Sequence, residues 1–125
     1  MADCKRILIA DDDKIVRGLL VTMLQNKFEV CCVSNGKQLC SLLNSCEDEF
    51  DLVISDIHMS PWGVDRLDPT KAIQGCVFST DMKLQGTRLP VIYISGDVTR
   101  EYAVHKPIKR DVLMAAIADA LESAG

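Results

Sequence analysis

Short apolar runs take turns with stripes of helical period along this chain, and that alternation constrains the fold more than any other feature. Ile7-Leu8-Ile9-Ala10 leads into a stripe at Ile15, Val16, Leu19, Leu20, Met23 and Leu24, the spacing of an amphipathic helix. Glu29-Val30-Cys31-Cys32-Val33-Ser34 follows, closed by the turn signal Asn35-Gly36. A shorter stripe of Leu39, Cys40, Leu42, Leu43 and Cys46 precedes the third run, Asp51-Leu52-Val53-Ile54-Ser55-Asp56. Val91-Ile92-Tyr93-Ile94 and Tyr102-Ala103-Val104-His105 are the fourth and fifth, and a last stripe runs through Val112, Leu113, Ala116, Ile117, Ala120 and Leu121. Strand and helix in alternation predict an α/β fold whose parallel sheet is covered on both faces. A chain of 125 residues suits one domain, taken here as 1–125.

Two connections break the pattern. Residues 57–90 are more than one helix and two short loops need, so an insertion is expected there. Asp68-Pro69 reads as an N-cap with proline at N1, and Ala72, Ile73, Cys76 and Val77 as the buried stripe of a helix that Gly75 weakens. The opposite holds after Ser95. Residues 96–101 can reach about 20 Å when extended, but cannot also wind into a crossover helix. The fourth helix is therefore expected to be reduced or absent.

The strand ends carry the chemistry. The first run delivers Asp11, Asp12 and Asp13, the third ends in Asp56, the fourth in Ser95 and the fifth in Lys106-Pro107. If these strands lie side by side and parallel, the groups converge at the carboxyl edge of one sheet, where open α/β folds bind ligands. Carboxylates, a hydroxyl and an ammonium suit a phosphoryl group and a hard cation. A capping role at the first helix suits Asp11 or Asp12 as well, since carboxylates favour its positive end. Asp13 reads as the surface or capping residue.

Composition excludes several classes. A net charge of −4 argues against a nucleic-acid surface, which normally carries a basic patch. No apolar stretch approaches the roughly 20 residues of a membrane span, and no signal-peptide core precedes the first strand, so a cytoplasmic location is expected. The six cysteines contain no C-x-x-C pair and read as small hydrophobes rather than zinc ligands or disulfides.

Four segments together resemble the receiver domain of two-component response regulators: Ile7 to Asp13, Asp51 to Met59, Ser95-Gly96 and Lys106-Pro107-Ile108. The resemblance implies a flavodoxin-like, doubly wound, five-stranded parallel sheet of order 2-1-3-4-5. It implies that Asp56 accepts a phosphoryl group from a phosphohistidine on a sensor histidine kinase or a histidine phosphotransfer protein. It further implies Mg²⁺ held by Asp11, Asp12, Asp56 and the backbone carbonyl of His58, with Lys106 and Ser95 binding phosphoryl oxygens. Such a domain signals by altered protein contact to a downstream protein that the sequence does not identify, and is not an enzyme acting on a small molecule. Receivers commonly place an aromatic switch residue where this chain has Ala103, with Tyr102 one position earlier.

Two rivals stand beside that reading. One is a pseudo-receiver that signals without phosphate. The other is an aspartyl-phosphate phosphatase of the haloacid-dehalogenase type, which carries a second aspartate where this chain has His58. Trp62, flanked by Pro61 and Gly63, is expected as a partly exposed ring at the rim of the site.

Overall fold

A computed structural model describes residues 4–56, 77–78, 84–85, 88–95 and 104–124. Five strands form one parallel sheet: β1 (Arg6–Ala10), β2 (Glu29–Val33), β3 (Leu52–Asp56), β6 (Val91–Ser95) and β7 (Val104–His105). Their spatial order is β2-β1-β3-β6-β7, which is 2-1-3-4-5 when only the strands of this sheet are counted. Helices α1 (Lys14–Leu24), α2 (Gly36–Cys46) and α3 (Arg110–Ala124) flank it, and a short 3-10 turn spans Glu47–Glu49. This is the flavodoxin-like arrangement that the alternation and the resemblance predict.

The period of two along β1 divides the core. Ile7 and Ile9 face one side with Leu20 and Leu24 of α1, Leu52 and Ile54 of β3, and Leu113 and Ile117 of α3. Leu8 and Ala10 face the other, with Leu39, Cys40 and Leu43 of α2, Phe50 and Val53. Each fully buried branched side chain contributes about 1.5–3 kcal/mol through the area it removes from water. The two layers pack against both faces of β1 and β3, the strands that lead into Asp11 and end in Asp56.

Helix ends follow local chemistry. The Asp13 carboxylate accepts the Ile15 N–H and caps α1, while the Asn35 side chain accepts the Gln38 N–H and caps α2. Asn35-Gly36 is thus a helix start rather than a turn. The α1 stripe is wider than its buried lane: Leu20 and Leu24 are buried, whereas Ile15 is 81% and Leu19 43% exposed.

Val77 does not lie on a helix. Val77–Phe78 (β4) pairs antiparallel with Leu84–Gln85 (β5) in a small separate ladder. A β-branched residue beside an aromatic favours extended backbone, and Gly75 already weakens the helical alternative. The rest of the expected helix, His58, Trp62, residues 96–101, Tyr102 and Ala103 lie outside the described residues.

Cys40 corrects the reading of the cysteines. It is disulfide-bonded, while Cys4, Cys31, Cys32 and Cys46 are free. Sequence spacing reports only local pairs, whereas a disulfide needs two Cα atoms about 4.4–6.8 Å apart in space. No helix among the described residues is long and apolar enough to cross a membrane.

Candidate functional site

Strand register alone gathers the chemistry-bearing residues. Ala10 stands opposite Ser55, Asp56 opposite Ile94, and Ser95 opposite His105. Asp11, Asp56, Ser95 and Lys106 therefore arrive at the carboxyl edge of four neighbouring strands, each within one step of the residue on the adjacent strand. The Lys106 N–H continues the ladder by donating to the Ser95 carbonyl at 2.8 Å, ahead of a cis Lys106–Pro107 peptide. β1 and β3 also flank the point where the strand order reverses. Ligands of open α/β sheets bind at such points.

The carboxylates meet closely. Asp11, Asp12 and Asp56 each offer an oxygen, and these atoms lie within 4.8 Å of one another. Asp11 and Asp56 are buried and Asp12 is exposed, so the cluster is closed toward the core and open toward solvent. Lys106 Nζ spans the buried pair, 3.2 Å from Asp56 Oδ2 and 3.5 Å from Asp11 Oδ2. Asp11 Oδ1 accepts the Asp13 N–H at 2.8 Å, which orients its carboxylate, while Asp11 Oδ2 is buried and accepts no hydrogen bond.

Burial pushes the Asp11 carboxyl up from its ordinary 3.8 to about 6, and repulsion from Asp56 adds to that rise. Lys106 is pulled in two directions. Its burial favours the neutral amine, but the attraction of Asp56 and Asp11 outweighs that and raises it above the ordinary lysine value. Three carboxylates against one ammonium leave two negative charges, which one divalent cation would balance. An all-oxygen donor set with an unsatisfied buried carboxylate oxygen fits Mg²⁺, a hard cation that keeps several waters and uses few protein carboxylates.

Ser95 is fully buried at the end of β6. Beside Asp56, the Ser55 hydroxyl donates to the Asp56 carbonyl at 3.3 Å. One side chain was passed over by sequence reasoning. Arg17 Nη1 on α1 donates to the Asp11 backbone carbonyl at 2.7 Å. Nothing in the sequence marks it, since an arginine on a helix carries no signal of the carbonyl it will reach.

The family profile of the response regulator receiver domain matches residues 7–118. ARR21 of Arabidopsis thaliana, a protein assigned to the two-component response regulators, is 26% identical over 96 residues; the match covers 76% of this chain and 14% of that protein. The receiver domain of the hybrid histidine kinase CckA is 26% identical, with a TM-score of 0.64, and the match covers 93% of this chain and 98% of that one. The signal receiver domain of an HD-domain-containing protein from Pseudomonas fluorescens Pf-5 shares the fold at a TM-score of 0.69, with 22% identity and 98% of both chains covered. A sheet of this order, an acidic cluster at its carboxyl edge facing a lysine, and a profile match over nearly the whole length lead to one conclusion: the chain belongs to the receiver domain family of two-component response regulators.

Proposed function

We propose that this chain is a single-domain phosphorylatable receiver over 1–125, with Asp56 as phosphoacceptor and Asp11, Asp12, Asp56 and the His58 carbonyl as Mg²⁺ ligands. One observation carries the reading: a half-buried lysine bridges two buried aspartates at the switch point of the sheet, with a third aspartate completing the cluster. A structural ion pair has no need of a third carboxylate against the first two.

A carboxylate oxygen of Asp56 attacks the phosphorus of a phosphohistidine on a sensor kinase or phosphotransfer protein. The P–N bond breaks, its electron pair returns to the imidazole, and an acyl phosphate remains on Asp56. Mg²⁺ would offset the carboxylate repulsion and the charge of the phosphoryl oxygens. Lys106, held beside Asp56 Oδ2, transfers its ammonium to a phosphoryl oxygen as the new anion forms. Ser95, at the end of the adjacent strand, donates its hydroxyl to another. Contacts that exist only with the phosphoryl group present are the ones able to shift the conformational equilibrium that a downstream protein reads.

Intact-mass measurement after incubation with acetyl phosphate and Mg²⁺ tests the reading. The wild type should gain one phosphoryl group and Asp56→Asn none. Equal labelling of both would remove Asp56 as the acceptor, and no labelling of either, even from a phosphorylated kinase, would favour the pseudo-receiver.

A further inference from the structure

Three carboxylates form the cluster, and the means by which each is aimed differ. Asp11 is held by the Asp13 N–H and Asp56 by Lys106. Asp12 is exposed, and its side chain takes no hydrogen bond from the described residues. The peptide to which it is attached therefore sets the direction of its Cα–Cβ bond, and with it the region its carboxylate can reach. That peptide, joining Asp11 to Asp12, is pinned at both ends of its first residue: the Asp11 N–H donates to the Val33 carbonyl at 3.2 Å, and the Asp11 carbonyl accepts from Arg17 Nη1 at 2.7 Å. Arg17 is half-buried on α1, six positions after Asp11, and its bond is the one that ties the helix to this carbonyl.

We propose that Arg17 is a positioning residue for the cation site: its hydrogen bond to the Asp11 carbonyl holds the Asp11–Asp12 peptide in the plane that turns Asp12 toward Asp11 and Asp56. The proposal rests on the reading of the acidic cluster as a Mg²⁺ site. Without the guanidinium, the peptide rotates more freely, and the exposed carboxylate spends part of its time in solvent. The loss falls on cation affinity rather than on the fold, because Arg17 contributes no side chain to either buried layer. Hydrogen bonds to the ligating groups themselves are worth about 10–100-fold in metal affinity, and a bond one peptide removed is placed at the lower end of that range.

The experiment compares wild type, Arg17→Met and Arg17→Lys. Both variants keep an unbranched stem, and only lysine keeps a cationic donor. Mg²⁺ affinity is read by calorimetric titration, and metal-free melting temperature by circular dichroism. Phosphorylation by acetyl phosphate is followed as a function of Mg²⁺ concentration. Arg17→Met should bind Mg²⁺ about tenfold more weakly while its metal-free melting temperature stays near that of the wild type. Arg17→Lys should recover most of the affinity, and the phosphorylation rate of Arg17→Met should return to the wild-type value at saturating Mg²⁺. Wild-type affinity in Arg17→Met would overturn the proposal. So would a lysine variant as weak as the methionine one, which would assign the loss to packing. A wild type that binds no Mg²⁺ removes the cation reading and this role together, whereas a responsive wild type beside an equally responsive Arg17→Met removes the role alone.

Discussion

Lys106 stands between two buried carboxylates that would otherwise repel each other, and burial, with the repulsion of Asp56 added to it, makes Asp11 hold its proton to about pH 6. An unfolded chain releases the same proton near its ordinary value of 3.8, so folding binds a proton between those limits. The stability contributed is fully present below pH 4 or so and is lost as pH rises through about 6. Its size is about 1–3 kcal/mol. Thermal melts in chelator should therefore show the wild type losing stability relative to Asp11→Asn as pH rises across that window. A constant difference between the two proteins would mean that Asp11 titrates normally. Saturating Mg²⁺ should flatten the wild-type slope, because the cation competes with that proton.

Helix α1 begins where it does because Asp13 accepts the Ile15 N–H with its side chain, and the site depends on that start for a second reason. The Asp13 backbone N–H, not its carboxylate, holds Asp11 Oδ1. The two functions of one residue should separate on mutation. Asp13→Ala removes the cap and should lower stability by about 1 kcal/mol in denaturant melts. It keeps the backbone donor, so Mg²⁺ affinity should change less than in Arg17→Met. A Mg²⁺ loss in Asp13→Ala exceeding that of Arg17→Met would show that the carboxylate itself serves the site. At the same scale, β1, β2, β3 and β6 were legible to within one residue at their ends, and the bodies of α1, α2 and α3 were legible too, since burial on a face imposes a period of two or 3.6. Val77 was not, because a two-residue ladder leaves too short a pattern to distinguish from one turn of helix.

Across the whole molecule, folding brings Asp56 up to Asp11 and Asp12, a carboxylate repulsion that Lys106 offsets in part and a bound cation would offset further. Mg²⁺ binding to the folded form alone should raise the melting temperature by mass action, by about 2.7 kcal/mol of stability at a hundredfold excess over the dissociation constant. Asp12→Ala should lose most of that response and, without metal, melt above the wild type because one repelling charge is gone. Equal Mg²⁺ stabilisation in both proteins would mean that Asp12 does not share the site. Disruption of either layer should abolish the response together with the fold. Ile9→Ala on one face and Leu39→Ala on the other should each cost about 2–5 kcal/mol, because both empty a fully buried position.

Sequence alone determined that this chain forms a parallel α/β sheet and that Asp11, Asp12, Asp56, Ser95 and Lys106 fall at its strand ends. Those conclusions follow from periodicity, which depends on local geometry, and from the four segments that resemble receivers. Tertiary structure decided the rest. Register β1 against β3 and β6 against β7 sets which strand ends are neighbours, and packing of Lys106 between Asp11 and Asp56 sets their electrostatics. The reach of Arg17 to the Asp11 carbonyl and the disulfide state of Cys40 belong to the same class. Each depends on a distance across the fold between atoms whose separation along the chain implies nothing about their separation in space.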